Sequence, residues 1–531
     1  MYISSKWRLL FAGLLVASLS SCLKDDIDKL SDTIPWNPDG IAPFVNTEMS
    51  IDDIAGGTEV DENEEGVVVL TYIEEDIIRL EADDFVKIST NQPTKNQAFP
   101  LDNGGTNPIA SGSLDIDFNV TTANPDAELR HISFEEGAFE YTFSSLAGTA
   151  LEVILSFPGS QTAGGGEFTA VINLDAVGGV QTGSVDVSNI LFDLTQFEAQ
   201  PYNKIVIDYA INNAGGVGID ALVGTFKLSD LTIDFADGYF GQIEIDVDLE
   251  ERELESQFFK DAQGDVTFVN PIFNIITTTK IGANAASNIT VDGVNKDGDV
   301  LRLTGDVDNI INGSTEPGTT AYDKIIYQKD VPNCNVVEFT SHIPNSLIYD
   351  GTILVNPEGN VGQTNFAQAN DIVDVDFEFD LPMEFSMDEF SLVKDQEIPE
   401  LEQGDLEDVK ELYMHFNMNN DFPMNANVDA VLMDTTDVDN IIYLDTIKIS
   451  DFVIAAPIEA DGRVDLDKVE RTTTIIELTK EERDNLVLGN KMGFRIYMST
   501  PEEEGENRVV KIYSDYRFDI RVALQAIVDL N

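Results

Sequence analysis

Residues 373–381 read Val-Asp-Val-Asp-Phe-Glu-Phe-Asp-Leu, so an apolar side chain alternates with a carboxylate at every step. Successive side chains of a β-strand point to opposite faces, and this spacing therefore places one face against a core and the other in water. The same alternation recurs at residues 114–120, 243–249 and 518–524, and turn signals such as Asp297-Gly298 separate the runs. The pattern predicts an all-β protein made of several antiparallel β-sandwich-like units.

Very little helix is expected. The best candidate is residues 479–488, where Thr479 and Glu482 have the spacing of a capping box and Gly489 would end the helix. Residues 405–412 are a second candidate, a short helix directly before a strand. Neither segment is long or amphipathic enough to indicate a coiled coil or a membrane-surface helix.

The length of 531 residues exceeds what one hydrophobic core normally supports, so several structural units are expected. Apolar residues make up 42% of the chain, which is ordinary for a globular protein and too high for a disordered one. Turn-rich and charged stretches, together with the N-terminal signal described in the next paragraph, predict six segments. They are a lipoprotein signal peptide at 1–21, a lipidated tether at 22–40, an N-terminal entry region at 41–110, a β-sandwich unit at 111–250, a second β unit at 251–369 and a C-terminal β unit at 370–531.

The start of the chain has the features of a lipoprotein signal. Lys6 and Arg8 precede a short apolar run at residues 9–19, which is too short to span a bilayer as a stable helix. Leu19-Ser20-Ser21-Cys22 matches a lipobox, so cleavage before Cys22 and acylation of that residue, by chains such as palmitate, are expected. Each buried methylene contributes about 0.8 kcal/mol, so two or three chains would hold the protein on a membrane almost permanently.

The residues after Cys22 specify a side of the membrane. Lys24, Asp25 and Asp26 resemble the export signal of surface-exposed lipoproteins in Bacteroidota. This resemblance implies a location in the cell outer membrane, facing the extracellular medium. The alternative is that these residues form a solvated acidic tether without a sorting role.

Three longer segments resemble a group of Bacteroidota surface lipoproteins for which no activity is established. These segments are Ile34–Pro38 with Pro43, Gly238–Gln242 and Tyr513–Leu524. Separately, Phe268-Val269-Asn270-Pro271 and the alternating residues after it resemble the strand and Asn-Pro turn of LEA14/WHy-type β-sandwiches. The second resemblance implies a β-sandwich, and neither resemblance implies an activity.

The charge of the chain excludes several classes of partner. There are 97 acidic and 31 basic residues, which give a formal net charge of -66. A field of this sign repels nucleic acid and anionic lipid surfaces, and it attracts cations or a basic protein surface. Like charges that face each other across strands are destabilising. We therefore expect a weak, non-specific dependence of the melting temperature on salt or calcium, which an unchanged melting temperature would contradict.

No cofactor or metal site is predicted. Asn295–Asp299 superficially resembles part of an EF-hand loop, but Gly293 stands at the first ligand position and Thr304 at the twelfth. Neither side chain suits a calcium ligand at those positions, so the motif fails.

No catalytic residue is predicted, and the chain is interpreted as a protein that is not an enzyme. His131, His342 and His415 have no metal-ligand spacing and are expected to be surface or strand residues. Cys334 is expected to be a small buried or turn residue without the low pKa of a nucleophile. The HExxH, CxxC, GxSxG and GxxxxGK patterns do not occur in the sequence.

The predicted function is a non-enzymatic binding or structural role at the cell envelope, with an outer-membrane protein as partner. A first alternative is a glycan-binding accessory lipoprotein of an outer-membrane polysaccharide uptake system, which predicts exposed aromatic side chains clustered on one face. A second alternative is an extracellular hydrolase that uses two carboxylates, which predicts a deep cleft with two nearby acids. With 97 acidic residues, the sequence alone does not identify such a pair.

Overall fold

The alternating segments form strands of multiple antiparallel sheets, and the predicted all-β class is confirmed, with 60% strand and 7% helix. The computed structural model describes residues 39–528 with the following gaps: 56–58, 102–105, 121–125, 146–148, 177–178, 198–201, 214–221, 255–258, 260–265, 389, 403, 405, 407–408, 437–440, 460–461 and 504–505.

The strands follow one another with short connections. Up to residue 253 they are β1 (Asp39–Ser50), β2 (Glu59–Glu62), β3 (Val68–Glu81), β4 (Lys95–Phe99), β5 (Ala110–Asp117), β6 (Glu128–Ser145), β7 (Leu151–Ser156), β8 (Thr169–Leu174), β9 (Gly179–Asp186), β10 (Phe192–Asp193), β11 (Lys204–Asn213), β12 (Leu222–Tyr239) and β13 (Ile243–Glu253). The next are β14 (Val266–Phe268), β15 (Ile272–Thr279), β16 (Ala285–Val294), β17 (Val300–Arg302), β18 (Ile310–Ile311), β19 (Ala321–Gln328), β20 (Ser346–Val355), β21 (Asn365–Gln368), β22 (Ile372–Pro382), β23 (Glu384–Met387) and β24 (Phe390–Glu397). The last are β25 (Val409–Asn420), β26 (Asn425–Asp434), β27 (Ile442–Val453), β28 (Thr472–Glu477), β29 (Lys491–Ser499), β30 (Glu502–Glu503), β31 (Glu506–Asn507), β32 (Val510–Lys511) and β33 (Arg517–Val528).

Helices are short, as expected. Those of the described chain are α1 (Ile51–Ala55), α2 (Ala82–Phe85), α3 (Val336–Ser341) and α4 (Lys480–Leu488), with a 3-10 turn at Leu466–Lys468. The capping box of α4 is confirmed: the Glu482 backbone N–H donates to Thr479 Oγ1 at 3.2 Å, and the Thr479 N–H donates to Glu482 Oε2 at 2.6 Å. Gly489 caps the end of α4, where a Cβ would collide with Leu432.

The predicted helix at residues 405–412 is wrong over its last residues, because β25 begins at Val409. Leu412, Met414, Phe416 and Met418 alternate along this strand and are all buried. The period of two therefore already starts inside the segment that was assigned to a helix. Pairing with β33 on one side and β28 on the other fixes it as a central strand.

Six of the sheets form three sandwiches. In the first sandwich, the sheet β10-β6-β12-β21, with β4 and β9 at its margins, faces β5-β11-β7-β8; Phe99 of β4 contacts Tyr209 of β11 at a ring distance of 4.8 Å. In the second, β19-β15-β22-β3-β2 faces β13-β20-β16-β17 with β18, and the Tyr349 and Phe377 rings lie 5.6 Å apart between them. In the third, β1-β33-β25-β28 packs with β24-β29-β26-β27.

Hydrogen bonding joins strands that are far apart in the chain. The first described strand, β1, pairs with the last, β33, and β3 pairs with β22. Strands β1, β3 and β4 all come from the stretch 41–110 or its margin, yet they belong to the third, second and first sandwich respectively. Pairing between strands that are distant in the chain therefore completes sheets in all three sandwiches. One continuous apolar cluster runs through the sandwiches.

The segment Gly238–Gln242 forms the junction between the first and second sandwiches, since it connects β12 to β13. Two buried asparagines hold it: Asn356, directly after β20, and Asn365, the first residue of β21. Asn356 Nδ2 donates to the Gly241 carbonyl at 2.8 Å, and the Phe240 backbone N–H donates to Asn365 Oδ1 at 3.0 Å. The two asparagine amides also bond each other, at 2.9 and 3.0 Å. We call this group the asparagine clamp.

Gly238 is required by the geometry of this junction. Its φ of 136° lies in the region that favours glycine, and a Cβ there would overlap the carbonyl oxygen of Glu128 on the paired strand β6. The segment that resembles part of a group of Bacteroidota lipoproteins therefore meets a conformational requirement of the fold.

Candidate functional site

Several predicted site residues lie outside the description. Cys22, the proposed lipidation site, and the proposed export residues Lys24, Asp25 and Asp26 all precede residue 39, as does Trp36. In the part of the chain that is described, no helix is long and apolar enough to cross a membrane.

The histidines lie on or beside strands and are far apart. His131 on β6 pairs with Asp237 on β12, with Nδ1 2.8 Å from Oδ1 and 3.1 Å from Oδ2. His342 follows α3 and its Nε2 lies 2.9 Å from the Asp299 carbonyl, whereas His415 Nε2 lies 2.7 Å from Gln525 Oε1. Each has one local partner, and the three do not converge on a site.

The His131–Asp237 pair is expected to make stability depend on pH. The hydrogen bond to Asp237 raises the pKa of His131, although burial opposes it. A raised pKa in the folded state means that the stabilisation is fully present below the ordinary histidine pKa, near 6.5, and is lost as the pH rises through the folded value. In urea titrations across this range, Asp237→Asn should remove this loss, whereas His342→Gln should retain it. An identical pH profile for Asp237→Asn and the parent would contradict the assignment.

The surroundings of Cys334 and of the turn at Asn295–Asp299 indicate structural roles for both. Cys334 is half-buried, and burial raises the pKa of its thiol, away from the range of a nucleophile. Asn295 Oδ1 accepts the backbone N–H groups of Asp297 and Asp299 at 3.0 and 2.9 Å, which closes the turn between β16 and β17. Within the described ranges, no three His, Cys, Asp or Glu side chains converge in a way that could hold a metal ion.

The strongest candidate site lies on the outer face of the sheet β19-β15-β22-β3-β2. The carboxylates of residues 373–381 were expected in water, yet residue Glu378 is only 8% exposed. In register across the sheet, Ile326 of β19 is paired with Asn274 of β15, Asn274 with Glu378 of β22, and Glu378 with Ile73 of β3. One row of side chains therefore crosses four strands.

We call this row the trough, because the two residues in its middle are buried while the two at its ends are exposed. Ile326 and Ile73 at its two sides are each 41% exposed, while Asn274 between them is 3% exposed. Large apolar side chains thus project on both sides of a polar floor made by Asn274 and Glu378. Such an arrangement, with an apolar rim and a few buried polar groups, is typical of binding surfaces.

A hydrogen-bond network organises the floor. Asn274 Nδ2 donates to Glu378 Oε1 at 2.7 Å and to Asp380 Oδ2 at 3.2 Å. Lys324 Nζ donates to the same Glu378 oxygen at 2.8 Å, and Thr71 Oγ1 donates to Asp380 Oδ1 at 2.9 Å. Among the described atoms, the buried Asn274 Oδ1 has no hydrogen-bond partner. The floor therefore contains one buried acceptor, with under 1 Å² of accessible surface, that no described group pairs.

Burial and the hydrogen bonds of the network shift the pKa values of Asp380 and Lys324. Burial raises the pKa of Asp380, and the nearby Glu378 charge adds to this effect. Burial is the largest single effect on Lys324 and lowers its pKa, but the hydrogen bonds to Glu378 and Tyr322 and the attraction of their charges together raise the pKa above its ordinary value. Lys324 is therefore firmly cationic, and it neutralises part of the negative charge of the floor.

An exposed tyrosine lies beside the trough on the same edge strand. Tyr322 is 60% exposed, and Lys324 Nζ lies 5.7 Å from the centre of its ring. The other large exposed aromatic side chains of the described chain, Tyr443 and Phe452, are on β27 of the third sandwich. The aromatic clustering that the glycan-binding alternative predicts is therefore not found among the described residues.

Sequence reasoning missed Asn274 and the trough. A signal is visible in hindsight: Asn274 interrupts the apolar run Ile272-Phe273-Asn274-Ile275-Ile276, where a buried amide needs a specific partner. Its partners on β22 and the rim residues on β3 and β19 are distant in the chain. Only strand pairing brings these side chains together.

Comparison with known proteins supplies no family. No family model and no curated protein matches the chain. Similar solved structures include a protein from Parabacteroides distasonis that is predicted to be secreted, with TM-score 0.28, 10% identity and coverage of 92% of this chain and 99% of that one.

Two further structures resemble the chain even less. The CBM22 tandem domain of Paenibacillus barcinonensis Xyn10C has TM-score 0.14 and 8% identity, over 92% of this chain and 99% of that one. The empty particle of cowpea mosaic virus has TM-score 0.18 and 7% identity, over 57% of this chain and 94% of that one. At these values no family, ligand or activity is carried over to this protein.

Proposed function

We propose that the protein is a lipid-anchored lipoprotein of the outer membrane that binds a partner outside the cell, without catalysis, through the trough. The lipobox ending at Cys22 and the acidic residues after it support the location. The observation that carries the binding role is the row in which the half-exposed Ile73 and Ile326 flank the buried polar pair of Asn274 and Glu378.

The energetic argument concerns the cost of a buried acceptor without a partner. Leaving such a group unpaired costs about 1–3 kcal/mol, and most buried polar side chains in proteins are paired. This cost is borne within the protein, because the oxygen has under 1 Å² of accessible surface, and a partner would gain instead by covering the two exposed isoleucines. The trough is built on a central part of a sheet, so its geometry is set before binding.

Photo-crosslinking on intact cells tests this proposal. A benzoylphenylalanine at Ile326 should form a discrete adduct with a cell-surface partner. The same photoreactive residue at Val171 on edge strand β8, which is 55% exposed against 41% for Ile326, is the control. A discrete adduct from position 326 that position 171 does not give is the expected result. Identical adduct patterns from both positions would contradict the binding role. A Cys22→Ala variant that stays attached to the membrane as the parent does would contradict the lipid anchor.

A second candidate function is the two-carboxylate hydrolase, because Glu378 and Asp380 share the amide of Asn274. Burial raises the pKa of Asp380, and Glu378 is paired with Lys324, so the two carboxylates lie in different surroundings. Against catalysis, both oxygens of Asp380 already accept hydrogen bonds within the protein. Turnover of any polysaccharide that disappears in Glu378→Gln would favour the hydrolase over the binding role.

A further inference from the structure

The outer face of the sheet β1-β33-β25-β28, in the third sandwich, has a centre without carboxylates. Alternate residues of β25, such as Phe416, are buried in the sandwich, so the residues between them point outward. Two neighbouring outward rows cross all four strands in register and contain no acidic residue. They are Ile475, His415, Ala523 and Pro43, and then Thr473, Asn417, Arg521 and Asn46. We call these two rows the neutral patch.

The neutral patch stands out against the charge of the rest of the chain. The sequence has 97 acidic residues, and on the trough sheet every outward position of residues 374–380 is acidic. Two copies of a chain with a net charge of -66 repel each other over most of their surfaces. This repulsion is weakest where neither surface carries carboxylates, so the neutral patch is the place where a second copy can approach.

The polar groups of the neutral patch already have partners within the face. His415 Nε2 lies 2.7 Å from Gln525 Oε1, and Thr473 Oγ1 donates to Asn417 Oδ1 at 2.9 Å. The Arg521 guanidinium lies 3.9 Å from the carboxylate two residues before it. Removing paired polar groups from water costs less than removing unpaired ones. The face is therefore better suited to burial against protein than to a sugar, whose hydroxyl groups need free donors and acceptors.

The face is also large enough for a dimer. Three of its strands have 12 residues and β28 has 6. With strands about 4.8 Å apart and a rise of about 3.3 Å per residue, the face covers about 600 Å² in projection. Each partner of a typical stable interface buries about 800 Å² of accessible surface, which exceeds the projected area of the same patch because side chains roughen it. Ile475 and Ile41, which are 56% and 61% exposed, supply an aliphatic side chain at each margin.

The order of the strands makes this face complementary to itself. A two-fold axis that lies between two such faces and runs parallel to the strands would place β33 over β25, and β1 over β28, of the other copy. Arg521 would then face Asn417 of the other copy, and His415 would face Ala523. Ile475 at one margin would face Pro43. Within the two rows, no acidic side chain of one copy meets an acidic side chain of the other.

We infer that two copies of this chain associate face to face through the neutral patch and form a closed dimer. This inference goes beyond the proposed function, because the patch lies on the third sandwich and the trough on the second. The net charges of the two copies oppose association, and salt screens such repulsion within about 8 Å at physiological ionic strength. The affinity of the dimer therefore rises with salt, whereas the affinity for a basic partner would fall.

Photo-crosslinking on intact cells tests the contact. A benzoylphenylalanine at Ile475 should give a covalent product with twice the mass of one chain, and peptide mapping should place the new bond in β1 of the other copy. The matched control is the same residue at Val300 on β17 of the second sandwich, which is 58% exposed against 56% for Ile475. This control should give no product of that mass. Equal yields from both positions, or no such product from position 475, would overturn the inference.

Sedimentation velocity of the purified mature chain, in enough detergent for one copy per micelle, provides a second measurement. Ile475→Asp places a carboxylate in the neutral patch and should raise the dissociation constant of the dimer about tenfold. Val300→Asp adds the same charge at an equally exposed strand position and should leave the dissociation constant near that of the parent. Both positions are on the surface, where folding tolerates substitution. A parent that stays monomeric at every salt concentration, or a dimer that weakens as salt rises, would contradict the inference.

The outcomes separate this inference from the proposed function. A neutral polysaccharide that suppresses the crosslink at position 475 would assign the neutral patch to a glycan and overturn self-association. The crosslink at position 326 reports on the trough alone, since that residue lies on β19 of the second sandwich. Failure of the dimer therefore leaves the proposed function intact, and failure of the trough leaves the dimer intact.

Discussion

Gly238→Ala should lower the free energy of unfolding of the protein by about 3 kcal/mol. Two costs combine at this position. A φ of 136° is unfavourable for any residue with a Cβ, and the new methyl group would overlap the Glu128 carbonyl on β6. Strand β6 is paired with β12 along nearly its full length, so the overlap cannot be relieved by moving one loop.

The matched control for this substitution is Gly166→Ala. Gly166 lies in an exposed turn, has no heavy atom within 4 Å of its hypothetical Cβ, and does not have a positive φ. Urea denaturation followed by tyrosine fluorescence should show a lower midpoint for Gly238→Ala and a midpoint near that of the parent for Gly166→Ala. Equal midpoints for the two variants would show that the junction relaxes easily, contrary to its described geometry.

Asn365→Ala should destabilise the protein to a similar degree, about 3 kcal/mol, by opening the asparagine clamp. Asn365 accepts from the Phe240 N–H and donates to the Gly282 carbonyl at 3.2 Å, and it exchanges two hydrogen bonds with Asn356. Each buried group that loses its partner costs about 1–3 kcal/mol. Because the clamp joins the first and second sandwiches, their unfolding should also become less cooperative.

Asn360→Ala is the control for the clamp. Asn360 is an exposed loop residue a few positions away, and its side chain donates to Glu128 Oε2 at 3.0 Å on the surface. Its replacement should change stability by less than about 0.5 kcal/mol. Asn365→Asp sharpens the comparison, since it retains the acceptors and loses the donors. A calorimetric profile of Asn365→Asp identical to that of the parent would contradict the role given to the amide nitrogen.

The trough shows what the alternation of residues along one strand predicts in this protein and what it does not predict. Alternation along β22 correctly placed Val375 and Phe377 in the core and their neighbours on the outer face. It did not predict that Glu378 is buried on that outer face. The reason is that burial there depends on side chains of β3, β15 and β19, which alternation within one strand does not reveal.

The helix predictions show the same limit at shorter range. The helix before Gly489 was predicted correctly because its capping box depends on two residues that are only three positions apart. The segment from residue 405 was assigned to a helix, yet from Val409 it is a strand. Pairing on both sides by β28 and β33 decides that outcome, and neither partner is near in sequence.

The sequence by itself determined the all-β class, the position of most alternating strands and the capped helix, because these depend on side chains within one segment. The tertiary structure decided which strands pair, such as β1 with β33, and hence which residues meet in the trough and the clamp. Pairing partners are selected by the combined burial of whole sheet faces, and many registers of similar strands satisfy the same local pattern. For that reason Asn274, Glu378 and Ile326 became a candidate site only once the sheet was assembled.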